Sequence, residues 1–435
     1  MPDEIIIVGA GASGLMAARE LSGAGKLVRI IEARPRAGGR INTISSPDFS
    51  MPIEGGAEFV HGNLPLTLGL LNEAGINYHA VEGELWNARH RKPHKQEDFI
   101  EDQKILIKKL KELKKDTSVQ QFLDENFNDT KYEDLRSSII GYVQGYDLAD
   151  TERASAFALR EEWVNNEDEE QYRIDGGYGT LVNYLKQQCE ANGCLFDFDT
   201  TIKVIEWKKN EVRLHSAGNK IFTGVKAIIT VPLAVLQSSS ADKAYIEFTP
   251  AITSKLEAIN KMGYGQIIKF IIEFNEAFWE NKNVVGENRM KQLGFVFADT
   301  IIPTWWTQAP ATNPILTGWF GGPGVRRWKD LNDESLLQLA TDSLAGIFNI
   351  DHAVLIEKII AGRVFNWSKD EYSLGGYAYD SLNRDKHLEE LLQPEENTLY
   401  FSGEALEKKK TTLGTVEAAL ACGARTAQRV LESFK

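Results

Sequence analysis

The chain is short of cysteine, of long apolar runs and of positive charge, and each shortage removes a class of protein. Its three cysteines, Cys189, Cys194 and Cys422, are few and odd in number for 435 residues. A disulfide framework is not expected, and a reducing, cytoplasmic setting is. The cysteines also lack the spacing and histidine companions of a zinc site, so no metal is expected. No stretch approaches the roughly 20 apolar residues of a membrane span. The first apolar run, EIIIV at 4–8, is too short for the core of a secretory signal, and the last residues, LESFK, form no hydrophobic tail. Lysine and arginine number 49 against 62 acidic residues, a formal net charge of −13. That balance argues against nucleic acid as a partner.

Internal repeats and low-complexity linkers are missing too. The 43% hydrophobic and 26% charged content is that of a globular protein, and the length calls for two or three modules rather than one core. The basic stretch RHRKPHKQ (89–96) and the charge run NNEDEEQ (165–171) read as solvated loops. Residues 97–170 carry helical spacing, as in ILIKKLKELKK (105–115). From about 194 to 231, FDFDTTIKVIEW, NEVRLHSA and KAIITV read as strands.

What is present begins at residue 4. A continuous apolar strand is followed by GAGASG, in which Gly9, Gly11 and Gly14 form G-x-G-x-x-G with Ala12 and Ser13 between the last two. LMAAREL then runs at helical period, and LVRIIE reads as a second strand ending at Glu32. Strand, glycine turn, helix, strand and acid within about 30 residues make the dinucleotide-binding unit. The pyrophosphate belongs on the helix N-terminus. Glu32, with Ala33 beside it, would accept from both ribose hydroxyls and repel a 2′-phosphate, which disfavours NADP. The continuation ARPRAGGRINT adds Gly38, Gly39 and Arg40, an extension typical of FAD-binding proteins, with Arg34 and Arg40 placed to neutralise phosphates.

With GGAEFVHG (55–62), RIDGGYGTLV (173–182), ITVPLAVL (229–236), GQIIKFIIEF (265–274), FNWSKDEYSLGGYAY (365–379) and FSGEA…GTVEAALACG in order, the chain resembles the flavin-dependent amine oxidase family of monoamine oxidases, polyamine oxidases and lysine-specific histone demethylases. The resemblance implies an α/β fold: a Rossmann-like FAD-binding domain plus a discontinuous α+β substrate-binding domain. The expected division is 1–64, 175–243 and 366–435 for FAD, and 65–174 and 244–365 for substrate. It implies cofactor contacts at Gly56, Ala57, Val204, Trp367, Gly403, Glu404, Thr415 and Val416. Glu404 reads equally as a turn carboxylate, and Trp367 also as core. A helix start near Thr415 would stabilise the anionic edge of a reduced flavin.

Lys269 raises the sharpest question, since an ammonium group inside an apolar strand costs several kcal/mol, roughly, without a partner. It reads either as an edge-strand guard or, by the resemblance, as the catalytic lysine beside flavin N5. Tyr377 would be one wall of an aromatic cage, with Thr415 in place of a second tyrosine. Gly376 stands where monoamine oxidases have the cysteine that bonds the flavin, so the FAD is expected to be non-covalent. Glu58 and His61 would face the substrate entrance, with Glu58 holding the far ammonium of a diamine; both also read as structural polar residues. The expected reaction is oxidation of a small aliphatic amine or polyamine, with oxygen as acceptor. Rival readings are a carbon–carbon desaturase or porphyrinogen oxidase of the same superfold, and a catalytically silent FAD-binding interaction protein. Oligomeric state is not legible.

Overall fold

In the computed structural model, residues 3–89, 93–100, 102–165 and 170–435 are described. Most of the charge run at 165–171, and residues 90–92 of the basic stretch, lie outside them. Ile5–Val8 (β1) is wholly buried and leads into helix Ala12–Gly23 (α1) and strand Val28–Ile31 (β2). Leu195–Asp197 (β3), Lys226–Ile229 (β4) and Leu399–Phe401 (β5) return to the same sheet, in the order β3-β2-β1-β4-β5 with every pairing parallel. A parallel sheet covered on both faces requires continuous apolar strands, which EIIIV and KAIITV supply. The last helix, Val416–Glu432 (α2), packs along α1. Its small residues permit this approach: a Cβ on Gly423 would stand 2.3 Å from the Ser13 carbonyl oxygen.

The segment FDFDTTIKVIEW is two strands in two sheets rather than one. Its first half is β3, and its second, Ile202–Lys208, pairs antiparallel with Glu211–Ser216 and parallel with Glu247–Thr249. The change of sheet occurs around Thr200–Thr201, after Asp199 adopts a φ of 50°.

The third body is a seven-stranded sheet. Its order is Ile359–Asn366, Ile267–Phe274, Ile315–Gly321, Thr304–Trp306, Leu293–Phe297, Glu84–Asn87 and His94–Gln96. His94–Gln96 was expected to be loop; it pairs antiparallel with Glu84–Asn87, with Lys95 bridged to Glu84 at 3.0 Å. Ile267–Phe274 is interior, hydrogen-bonded on both sides and buried along all eight residues. Lys269 is therefore no edge guard. Helices Gln103–Glu112, Val119–Asn126, Glu133–Gly145 and Ala156–Asn165 form a helical layer around Leu106, Phe122 and Ile139. Among the described residues no helix is long and apolar enough to cross a membrane.

Candidate active site

One cavity of about 950 Å³ runs from the turn after β1, past Lys269, to the helical layer. At its first end Gly11 caps α1 with no side chain bonded to the helix start, so the first N–H groups have no intrahelical acceptor. A Cβ on Gly11 would meet nothing within 4 Å, whereas one on Gly14 would stand 2.0 Å from the Gly9 carbonyl oxygen. The first glycine faces open space and the second packs the turn, the division of labour that a pyrophosphate site needs. Glu32 accepts from the backbone N–H of Ala10 (2.8 Å) and Arg34 (2.9 Å), one per carboxylate oxygen, which fixes its plane and leaves further lone pairs for a ribose. Gly403, with open space around its Cα, and the N-terminal residues Thr415 and Val416 close the same cavity. These residues fit an FAD.

Several expected contacts take a different form. The Arg34 guanidinium is committed to Asp370, at 2.9 and 2.6 Å, and to Ser373 Oγ at 3.0 Å, so it offers the cavity no unpaired charge. Arg40 donates to the Gly376 carbonyl (2.7 Å) and to Glu404 (2.8 Å). Val204 does not line the cavity; Thr200, Thr201 and Ile202 do. A register shift between Ile202 and Val204 is the reason, because a bulge there re-aims the strand. Trp367 lies at the cavity with Nε1 bonded to the Gly55 carbonyl at 2.7 Å. Ala33, Gly38, Gly39, Gly56 and Ala57 also line it. Arg36, which sequence reading passed over, braces the glycine loop by donating to the Ala37, Gly39 and Ile41 carbonyls.

At the centre, Lys269 Nζ lies 2.6 Å from Glu58 Oε2 and 3.1 Å from the Gly56 carbonyl. Glu58 Oε1 receives Arg173 at 2.6 Å and Trp306 Nε1 at 2.9 Å. Burial alone would raise the Glu58 pKa, but Lys269 and then Arg173 hold it below the usual carboxylate range. Glu58 is thus engaged by three donors as an internal counter-ion, where the sequence suggested a free carboxylate for a distant ammonium. Arg173 opens the RIDGGYG motif and Trp306 stands in PTWW (303–306), and nothing in their spacing announced that they meet Glu58.

Beyond the lysine the wall is aromatic. Tyr377 stacks on Trp319 (6.5 Å between centroids, 25°), and Trp319 lies 5.9 Å from Trp306. Thr415 lines the same cavity, with its hydroxyl capping α2 by accepting from Ala418 N–H and donating to the Thr412 carbonyl. The Tyr377 hydroxyl donates to the Tyr146 carbonyl, and Trp319 Nε1 to that of Gly145 at 2.7 Å, which pins the segment carrying Asp147 against this wall. Asp147 and Glu162 both line the cavity. Burial raises the pKa of each; the Glu162 carboxylate raises that of Asp147 further, while a hydrogen bond donated by the Tyr142 hydroxyl lowers that of Glu162. Neither forms an ion pair with a cation among the described residues. His61 lines the cavity too, edge-on to Tyr146 at 5.6 Å. Its Nδ1 has no partner among the described residues, and burial lowers its pKa to about 4, so the ring is neutral at pH 7.

A nucleotide-binding turn, an enclosed lysine and an aromatic-walled cavity on one sheet-and-helix scaffold define a flavin-dependent oxidoreductase. Residues 12–431 match the family described as flavin containing amine oxidoreductase, and the chain belongs to it. It is 26% identical to polyamine oxidase 3 of Oryza sativa subsp. japonica over 465 residues, covering 99% of this chain and 90% of that protein. It is also 26% identical to human lysine-specific histone demethylase 2, over 98% of this chain but 53% of that protein. Putrescine oxidase bound to putrescine has the same fold, with a TM-score of 0.80 at 18% identity over 99% of both chains. So does cyclohexylamine oxidase from Brevibacterium oxydans, with a TM-score of 0.80 at 18% identity over 100% of both chains. The protein is an FAD-dependent amine oxidoreductase.

Proposed function

We propose that the chain oxidises a small aliphatic amine or polyamine with a non-covalently held FAD and oxygen as acceptor. The observation that carries the reading is Lys269, a buried ammonium on the wall of one cavity that also holds the nucleotide turn and the Tyr377–Trp319 wall. Held by the glycine turn, Glu32 and the start of α2, FAD would supply the two-electron redox chemistry, as acceptor of hydride from the carbon next to the amine nitrogen and donor of electrons to oxygen, with hydrogen peroxide as the product. Water then splits the imine into an aldehyde and ammonia, or into an aldehyde and a shorter amine where the oxidised carbon adjoins a secondary nitrogen of a polyamine.

The protein's own work is to prepare the amine. A primary amine has a pKa near ~10.4, so its neutral form costs about 4 kcal/mol at pH 7.4. Tyr377, Trp319 and Trp306 attract the cation through their faces and then desolvate it, which favours release of its proton. The neutral His61 ring adds no repulsive charge there. Asp147 and Glu162 place negative charge at the helical end of the cavity, where the second ammonium of a diamine or polyamine would lie. Non-covalent binding is supported at Gly376, where even a Cβ would stand 2.4 Å from Leu148 Cδ1 and 2.8 Å from Ile267 Cγ2.

Anaerobic bleaching of the bound flavin by monoamines, putrescine, spermidine, spermine and amino acids tests the reading, with peroxide followed after air is admitted. Bleaching by aliphatic amines followed by peroxide is expected. A flavin that dithionite reduces but no amine bleaches would move the assignment to a desaturase or a silent scaffold.

A further inference from the structure

We infer that Glu58 is a positioning residue for Lys269: backed by Arg173 and Trp306, its carboxylate fixes the ammonium and keeps it protonated. The inference rests on the reading of Lys269 as the residue beside the flavin.

Four chain segments converge on this carboxylate. Glu58 precedes strand Val60–His61; Arg173 comes from Gln171–Ile174, which pairs antiparallel with it; Lys269 and Trp306 come from two strands of the large sheet. Lys269 is 0% exposed, Glu58 and Arg173 each 8%. A lysine so enclosed would shed its proton unless an anion compensated it, and Glu58 Oε2 at 2.6 Å does so. Of the three ammonium protons, Glu58 and the Gly56 carbonyl take two. The third has no protein acceptor among the described residues, and it lies at the cavity.

Arg173 makes the arrangement rigid. It also donates to Gln308 Oε1 (2.6 Å) and the Thr307 carbonyl (2.8 Å), and lies over the Phe59 ring at 4.7 Å. Lysine, glutamate and arginine together carry one net positive charge. A further titratable group among the described residues is Glu54, which feels both Lys269 and Glu58 and which burial raises to about 7. Removing the Glu58 charge leaves two enclosed cations together, and of these only the lysine gives up a proton readily.

The test is the reduction potential of the bound flavin across neutral to alkaline pH, in FAD-loaded protein carrying Glu54→Gln throughout so that Glu54 adds no break. The protein with Glu58 intact supplies the parent profile. Glu58→Gln should shift the potential upward where Lys269 is still protonated, and that excess should vanish as pH rises through a lysine pKa brought towards neutrality. Glu58→Asp should restore the parent profile, and adding Lys269→Met to Glu58→Gln should remove the break. Should Glu58→Gln alone fail to fold, Lys269→Met reads the same coupling in reverse: freed from its cation, Glu58 should titrate higher and give a new break on the acid side. A Glu58→Gln profile parallel to its parent, or a Lys269→Met profile without the acid break, overturns the role of Glu58 while leaving the flavin site intact. A chain that takes up no FAD overturns both this inference and the reading beneath it.

Discussion

Arg40 donates to the buried carboxylate of Glu404 across 2.8 Å, joining the glycine loop after β2 to the turn that follows β5. The same guanidinium nitrogen reaches the Gly376 carbonyl, and Glu404 also accepts from Ala378 N–H at 3.3 Å. One ion pair thus ties together three segments of the cofactor end that lie far apart in sequence. Removing one partner of a buried pair costs about 3–5 kcal/mol. Arg40→Met should therefore lower the melting temperature and leave purified protein depleted of flavin, read from its visible absorbance. Full flavin content with an unchanged melting curve would show that the pair does not organise the site.

Gly376 lies too close to Leu148 and Ile267 to accept a side chain. Acid precipitation of the native protein should release all of its flavin to the supernatant. Gly376→Cys should lose stability instead of gaining a covalent flavin; yellow protein in the pellet of either would contradict this.

The carboxylates of Asp147 and Glu162 should discriminate between substrates. Measured above neutral pH, where the pair is ionised, Asp147→Asn should raise KM for putrescine by about tenfold, the scale of one lost charge-assisted hydrogen bond, and leave KM for a monoamine of similar length unchanged. Because burial raises both pKa values, Glu162 to about 7, and Glu162 raises that of Asp147 further, the pair gains negative charge as pH rises through neutrality. The diamine KM should accordingly fall over that range, while the ammonium to be bound remains charged. Equal effects of Asp147→Asn on monoamine and diamine would remove the pair from recognition.

Glu54 makes a separate pH prediction. Its Oε1 accepts from Thr43 and from Tyr178 N–H, Oε2 is buried without a partner among the described residues, and burial raises the pKa to about 7 from an ordinary 4.5. A carboxyl raised in the folded state contributes stability that is fully present below its unfolded pKa and is lost as pH rises through the folded one. Melting temperature should fall between pH 4.5 and about 7, and Glu54→Gln should flatten that slope. Glu58, shifted the other way, acts only below 4.5 and does not blur the window. A slope unchanged in Glu54→Gln would assign it to another group.

The sequence by itself determined what depends on local order: EIIIV as a buried strand, the glycine turn, α1, Glu32, and Lys269 as an enclosed charge. Each is carried by period, turn chemistry and neighbours within a few residues, and the family resemblance follows from such pieces in sequence order. Tertiary structure decided whatever depends on which distant side chains meet. Whether Glu58 faces a substrate or Lys269 turned on Arg173 and Trp306, which are 115 and 248 residues further along the chain. The bulge that brings Ile202, and not Val204, to the cavity arises from pairing between strands. Asp147 and Glu162 carry no motif at all; they become a pair because one cavity excludes water from both. Burial sets the cost of a charge, and only the folded chain specifies which partner offsets it.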